Sequence, residues 1–157
     1  MDAIVAAPLR AALAACALAF ALPAAAQGAA PAKPLPVVTV HVAGHALRAE
    51  VVSTPEQRSR GLMFRETLGR NDAMLFIFDE PGYHSMWMKN TLIPLSVAFV
   101  DGEGRVLNVE DMRPGTLDPH GAQGPARYAI ETNLGWFAER RIKAGDKVTG
   151  LPKAPAK

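Results

Sequence analysis

Residues 83–91 read Tyr-His-Ser-Met-Trp-Met-Lys-Asn-Thr, placing an imidazole, two thioethers, an indole and an ammonium side by side in a chain with four histidines and two tryptophans. If the segment is extended, His84, Met86 and Met88 share one face, and Ser85, Trp87 and Lys89 share the other. The first set is a soft donor group of the kind that suits Cu(I). Along a strand rising ~3.3 Å per residue, same-face neighbours stand about 6.6 Å apart and the outer pair about 13 Å. One ion therefore takes one or two of these side chains plus a ligand from elsewhere, and methionine is also an ordinary filler of cores.

The second set offers different chemistry. Trp87, Lys89, Asn90 and Thr91 supply an aromatic face, a cation, an amide and a hydroxyl within five residues. An aromatic platform with a few convergent polar groups is how sites for small polar ligands are commonly built. Further along, Glu131 has the opposite strand parity to Tyr128 and Ile130 in Arg-Tyr-Ala-Ile-Glu. A glutamate in a half-buried strand calls for a cation, and Lys89 and Arg65 are the candidates.

Catalytic patterns are weak. No G-x-S-x-G elbow surrounds Ser53, Ser59, Ser85 or Ser96. Ser85 beside His84 is not a dyad, because adjacent strand residues point to opposite faces. Asp79 and Glu80 sit in an Asp-Glu-Pro-Gly turn, where acids are ordinary. His41 and His45 flank a turn, which is not the one-face helical spacing of zinc enzymes.

The chain start concerns location. After Arg10 an apolar run ends in Ala24-Ala25-Ala26, the form of a cleaved export signal over residues 1–26. Leu13-Ala14-Ala15-Cys16 also has the form of a lipidation box, although its five residues after Arg10 are fewer than the ~7 expected of an apolar region. Cleavage after Ala26 removes the sole cysteine and leaves about 130 of the 157 residues, enough for one domain standing on its core alone. The expected location is periplasmic or secreted, with membrane contact only through the signal or a lipid on Cys16. The formal net charge of +2 and the lack of basic runs give no support to a nucleic-acid partner.

The elements that position these residues are short. Residues 27–36 are Ala/Pro-rich and read as a linker, 37–150 as one domain, and 151–157 as a tail. Val37–Val42 and His45–Val52 alternate around Ala-Gly, a hairpin signal. Thr54-Pro55-Glu56-Gln57 carries a capping box and predicts a helix from Pro55 to Leu62. Runs at 73–78, 96–100, 105–110 and 127–131 predict further strands, the second and third joined at Asp-Gly-Glu-Gly. Asn133 is the expected cap of a second short helix through Trp136, and a last strand follows Gly145. The pattern predicts a mainly β fold: an antiparallel β-sandwich or a distorted barrel with two short helices.

Gly-Leu-Met-Phe-Arg-Glu-Thr-Leu from 61, Met-Leu-Phe-Ile-Phe-Asp-Glu-Pro from 74, Trp-Met-Lys-Asn-Thr-Leu-Ile-Pro-Leu from 87, Tyr-Ala-Ile-Glu-Thr-Asn-Leu-Gly-Trp from 128 and Lys-Ala-Gly-Asp-Lys-Val from 143 together resemble the family called domain of unknown function 192, over about 50–148. The resemblance implies a jelly-roll-like β-sandwich and no established activity. The chain departs from the family pattern at Ser96, where an aspartate is frequent, at Ala73, where a glycine is, and at Met86, where an aromatic is.

The reading is of an exported, non-catalytic binding or accessory module of the cell envelope, whose partner is a small ligand or an envelope protein. Its expected surface is Trp87, Lys89, Asn90 and Thr91 with Glu131 and Arg65 in support, rimmed by the loop 113–126; no catalytic residue and no cofactor are assigned. A Cu(I) protein using His84, Met86 and Met88 is the second reading. An envelope hydrolase using His84, Asp79 and Glu80 is the third.

Overall fold

The computed structural model describes residues 34–153; the expected signal, most of the linker and the end of the tail lie outside them. β1 (Val37–Val42) and β2 (His45–Val52) form the expected hairpin, turning through Ala43 and Gly44, both at positive φ. α1 (Pro55–Arg60) follows its capping box: the Gln57 N–H donates to Thr54 Oγ1, and the Thr54 N–H donates to the Gln57 side-chain carbonyl. β3 (Asp72–Gly82) is the longest strand, and β4 (Ser85–Met86) is only two residues. β5 (Leu95–Asp101), β6 (Val106–Met112), β7 (His120–Gly121), β8 (Ala126–Asn133), α2 (Trp136–Glu139) and β9 (Val148–Thr149) complete the order.

Seven strands build one curled sheet in the order β6-β5-β8-β3-β2-β1-β9, while β4 and β7 pair separately. The fold is mainly β with two short helices, as the sequence predicts, in its distorted half-barrel form. One pair, β2 with β3, is parallel, because α1 and the segment after it return the chain to the same end of the sheet. Alternation along the central strands sends side chains to two apolar clusters. Ala73, Leu75, Ile77, Ala98, Val100, Tyr128 and Ile130 join one with Trp136 and Phe137 of α2. Met74, Phe76, Phe78, Leu95, Val97, Phe99 and Ala129 join the other with Leu62 and Met88.

Two expectations are corrected. Residues 83–91 are not one strand: Pro94 and the left-handed Asn90 (φ 55°) leave only Ser85 and Met86 in a ladder. Asn133 does not cap α2. Its amide donates to the Leu68 and Gly69 carbonyls, and Gly135 takes the N-cap place in a left-handed conformation. That turn is held by Ser96, fully buried, whose hydroxyl accepts from the Gly135 N–H at 2.9 Å and donates to Asp111 Oδ1.

Candidate functional site

A cleft of about 260 Å³ opens on the side of the sheet that carries the second cluster. Its first wall is the end of α1 and the turn after it. Gly61 ends the helix at φ 46°, ψ −132°, a conformation that essentially only glycine adopts, and a Cβ there would stand 3.3 Å from the Phe76 ring. The absent side chain lets Leu62 and Met63 turn down against Phe76, and all four residues line the cleft. The opposite wall is the segment Ser85–Trp87 with Thr91.

The floor is Glu131, on the same face of β8 as Ala129. In the ladder it sits between Met74 of β3 and Val97 of β5, both fully packed apolar side chains. The residue is 4% exposed. Among the described residues its carboxyl has neither an ion-pair partner nor a hydrogen-bond donor, yet no buried side-chain oxygen is left enclosed without a partner. The carboxyl therefore opens onto the cleft. Burial alone, with no cation to offset it, pushes its pKa from 4.5 up to about 8.

The expected partners of Glu131 are engaged elsewhere. Arg65 pairs with Glu50 of β2. Lys89 Nζ lies 5.6 Å from the centre of the Trp87 ring, on an exposed loop. The two loops that carry these cations are joined by the Phe64 N–H, which donates to the Asn90 carbonyl, with both residues at positive φ.

Of the six predicted ligand residues, Trp87, Thr91 and Glu131 line the cleft, and Lys89, Asn90 and Arg65 do not. Trp87 is half-exposed, while the Thr91 hydroxyl is spent on the Lys89 carbonyl at 3.3 Å. The loop 113–126 is not a rim either. It braces the wall from behind, through the β4–β7 pairing and through Met88 N–H to the Thr116 carbonyl and Gly115 N–H to the Thr91 carbonyl.

Sequence reasoning missed Arg58 and Arg60 as cleft residues. Arg58 is fixed by Asp79 Oδ2 at 2.9 Å and the Ile77 carbonyl at 2.9 Å, so its charge is answered. Arg60 is exposed at the mouth, and its guanidinium makes no hydrogen bond or ion pair among the described residues.

The soft donor set is divided between the core and the cleft. The His84 ring stacks on Phe78 with centroids 3.7 Å apart, and its Nε2 lies 2.9 Å from the Glu80 carbonyl. Met88 is fully buried in the second cluster, whereas Met86 lines the cleft. Met88 therefore does not reach solvent. No group of three or more His, Cys, Asp or Glu side chains arranged for a metal occurs among the described residues.

The fold recurs in known proteins. The DUF192 family model, described as an uncharacterized ACR, matches residues 38–150. The chain belongs to this family. Among solved structures, a protein of unknown function from Novosphingobium aromaticivorans DSM 12444 is 38% identical, with a TM-score of 0.72 over 80% of this chain and 93% of that one. A candidate transcription regulator from Sinorhizobium meliloti 1021 is 30% identical, with a TM-score of 0.72 over 75% of this chain and 96% of that one. The curated proteins contain no match.

Glu131 makes stability depend on pH in a direction opposite to that of most carboxyl groups. Its folded pKa is raised, so between pH 4.5 and about 8 the native state holds a proton that the unfolded state has lost, and stability falls as pH rises through that window. Glu131→Gln keeps the shape and removes the charge. In urea unfolding at pH 9 the variant is expected to be more stable than the parent by a few kcal/mol, since each tenfold difference in proton affinity between the folded and unfolded states is worth about 1.4 kcal/mol. At pH 5 the two are expected to lie within about 1 kcal/mol. A difference of the same size at both pH values would contradict a protonated, unpaired Glu131.

Proposed function

We propose that this DUF192 protein is an exported, non-catalytic binding module of the cell envelope that holds a small polar ligand in the cleft floored by Glu131. The observation that supports binding is the carboxyl itself: a buried acid that opens onto a cleft, without a partner among the described residues, in a lining that also holds the half-exposed Trp87 indole. A fold under selection for stability alone gains nothing from such a group, and perturbed acids in clefts gather at functional sites. Apolar walls with a few polar groups at the floor and mouth match the usual build of a small-ligand site. The support for export is the run from Arg10 to Ala26.

The lining offers one carboxyl together with the hydroxyl of Ser59, the hydroxyls of Ser85 and Thr91 being donated to the His120 and Lys89 carbonyls, and it holds no second acid. General acid–base chemistry with paired carboxyl groups has no partner in that lining. The set suits holding a ligand better than transforming one.

Titration of the intact protein with monosaccharides, amino acids and short peptides, followed by indole fluorescence, tests the binding reading. A ligand of the cleft is expected to give a saturable change that is lost in Trp87→Phe, because Trp136 is buried in the other cluster and reports on nothing at the cleft. Loss of affinity by at least tenfold is expected in Glu131→Gln. A response that survives both substitutions places the ligand elsewhere. For export, the mass of the chain recovered from the cell envelope is expected to correspond to an N-terminus at Gln27; an intact Met1 overturns that part of the reading.

A further inference from the structure

The chemical class of the ligand follows from what the protein withholds from Glu131. Four cationic side chains lie on the elements around the cleft: Arg58 is held by Asp79, Arg65 by Glu50 and Lys89 over the Trp87 ring, while Arg60 is exposed and makes no ion pair with the carboxyl. The carboxyl, 4% exposed and flanked by Met74 and Val97, is left facing the cleft with no cation of its own among the described residues. Leu62, Phe76 and Met86 make the path to it apolar. A sugar hydroxyl brought down this path would lose its hydration against those side chains and gain one hydrogen bond, whereas an ammonium on a methylene stem matches both the walls and the floor.

We propose that the cleft takes a primary alkylammonium group, with the ammonium on Glu131 and the alkyl stem along Leu62, Phe76 and Met86. The inference rests on the ligand-binding reading above and narrows it. The same chemistry is presented by a free alkylamine and by the lysine side chain of a peptide. Trp87 at the mouth covers the outer part of the stem in either case, and Arg60 faces whatever anionic group the ligand carries at its other end.

The proposal fixes a proton balance. The free carboxyl, with its pKa of about 8, is mostly protonated at pH 7. Pairing with an ammonium favours the carboxylate, so R–NH3⁺ and the Glu131 carboxylic acid combine into an ammonium–carboxylate pair and release one proton to solvent. An uncharged ligand that bonds to the protonated acid releases none.

Calorimetric titration of the intact protein at pH 7, in PIPES and in HEPES, reads that proton through the difference in apparent binding heat. The probes are n-pentylamine, 1-pentanol, pentanoate and Nα-acetyl-lysine amide. The amine is expected to bind at least tenfold more tightly than the alcohol or the acid, with close to one proton released, and Glu131→Gln is expected to lose both the preference and the proton. Tighter binding of Nα-acetyl-lysine amide than of pentylamine assigns the peptide lysine as the source, and the reverse order assigns a free amine; both uphold the ammonium class. Binding of pentanol or pentanoate as tightly as the amine, without proton release, overturns the ammonium class and leaves the cleft a ligand site. A fluorescence response at Trp87 to sugars alone has the same meaning. Silence of every probe by both methods, with Glu131→Gln folding cooperatively like the parent, overturns this inference and the binding reading together.

Discussion

The position of one carboxyl is fixed by backbone pairing on both sides. β8 lies between β3 and β5, and the ladders that set Glu131 opposite Met74 and Val97 also set Ile130 opposite Leu75 and Ala98. Side chains alternate with a period of two, so a one-residue slip would turn Ile130 toward the cleft and drive Glu131 into the cluster around Trp136 and Phe137. Both apolar clusters hold that register. The acid is thus placed by the largest apolar interactions in the molecule rather than by any polar contact of its own.

The walls of the cleft are set around that acid with no ion pair or hydrogen bond to its carboxyl among the described residues. The α1 capping box and the Gly61 turn set one wall; the β4–β7 ladder and the loop it anchors set the other. Arg58 reinforces the first wall by tying α1 to the end of β3 through Asp79 and the Ile77 carbonyl. The consequence is a floor that is neutral near pH 7 in the free protein and able to ionise when a cation arrives. Stability is given up at alkaline pH for that property, a trade expected where a site rather than the fold selects a residue.

The strand pattern, the first helix with its cap, and the parity of Glu131 were legible because each rests on local rules: period-two alternation, turn residues and a capping box. Trp87, Thr91 and Glu131, singled out for their chemical types and parity, line the cleft. Three features were not legible. The 83–91 segment has strand-like composition, yet Asn90 in a left-handed conformation breaks it after two paired residues, and nothing in the composition distinguishes Met88 in the core from Met86 at the cleft. The partner of Glu131 was sought among nearby cations, whereas Arg65 is claimed by Glu50 across a loop whose path depends on the positive φ of Phe64. The parallel β2–β3 pair, which brings α1 over the second cluster and so makes Arg58 and Arg60 cleft residues, is a tertiary outcome with no signature in a short helical stretch.

The chemistry of the cleft turns on a Glu131 carboxyl that is unpaired and open to it. Carbon-13 NMR of protein labelled at the glutamate side-chain carboxyl, with the Glu131 signal assigned by its loss in Glu131→Gln, measures that group alone as pH is varied. A titration midpoint of about 8 is expected. A midpoint below 5 would mean a carboxylate already paired with a cation in the free protein, and would contradict an unpaired acid at the floor.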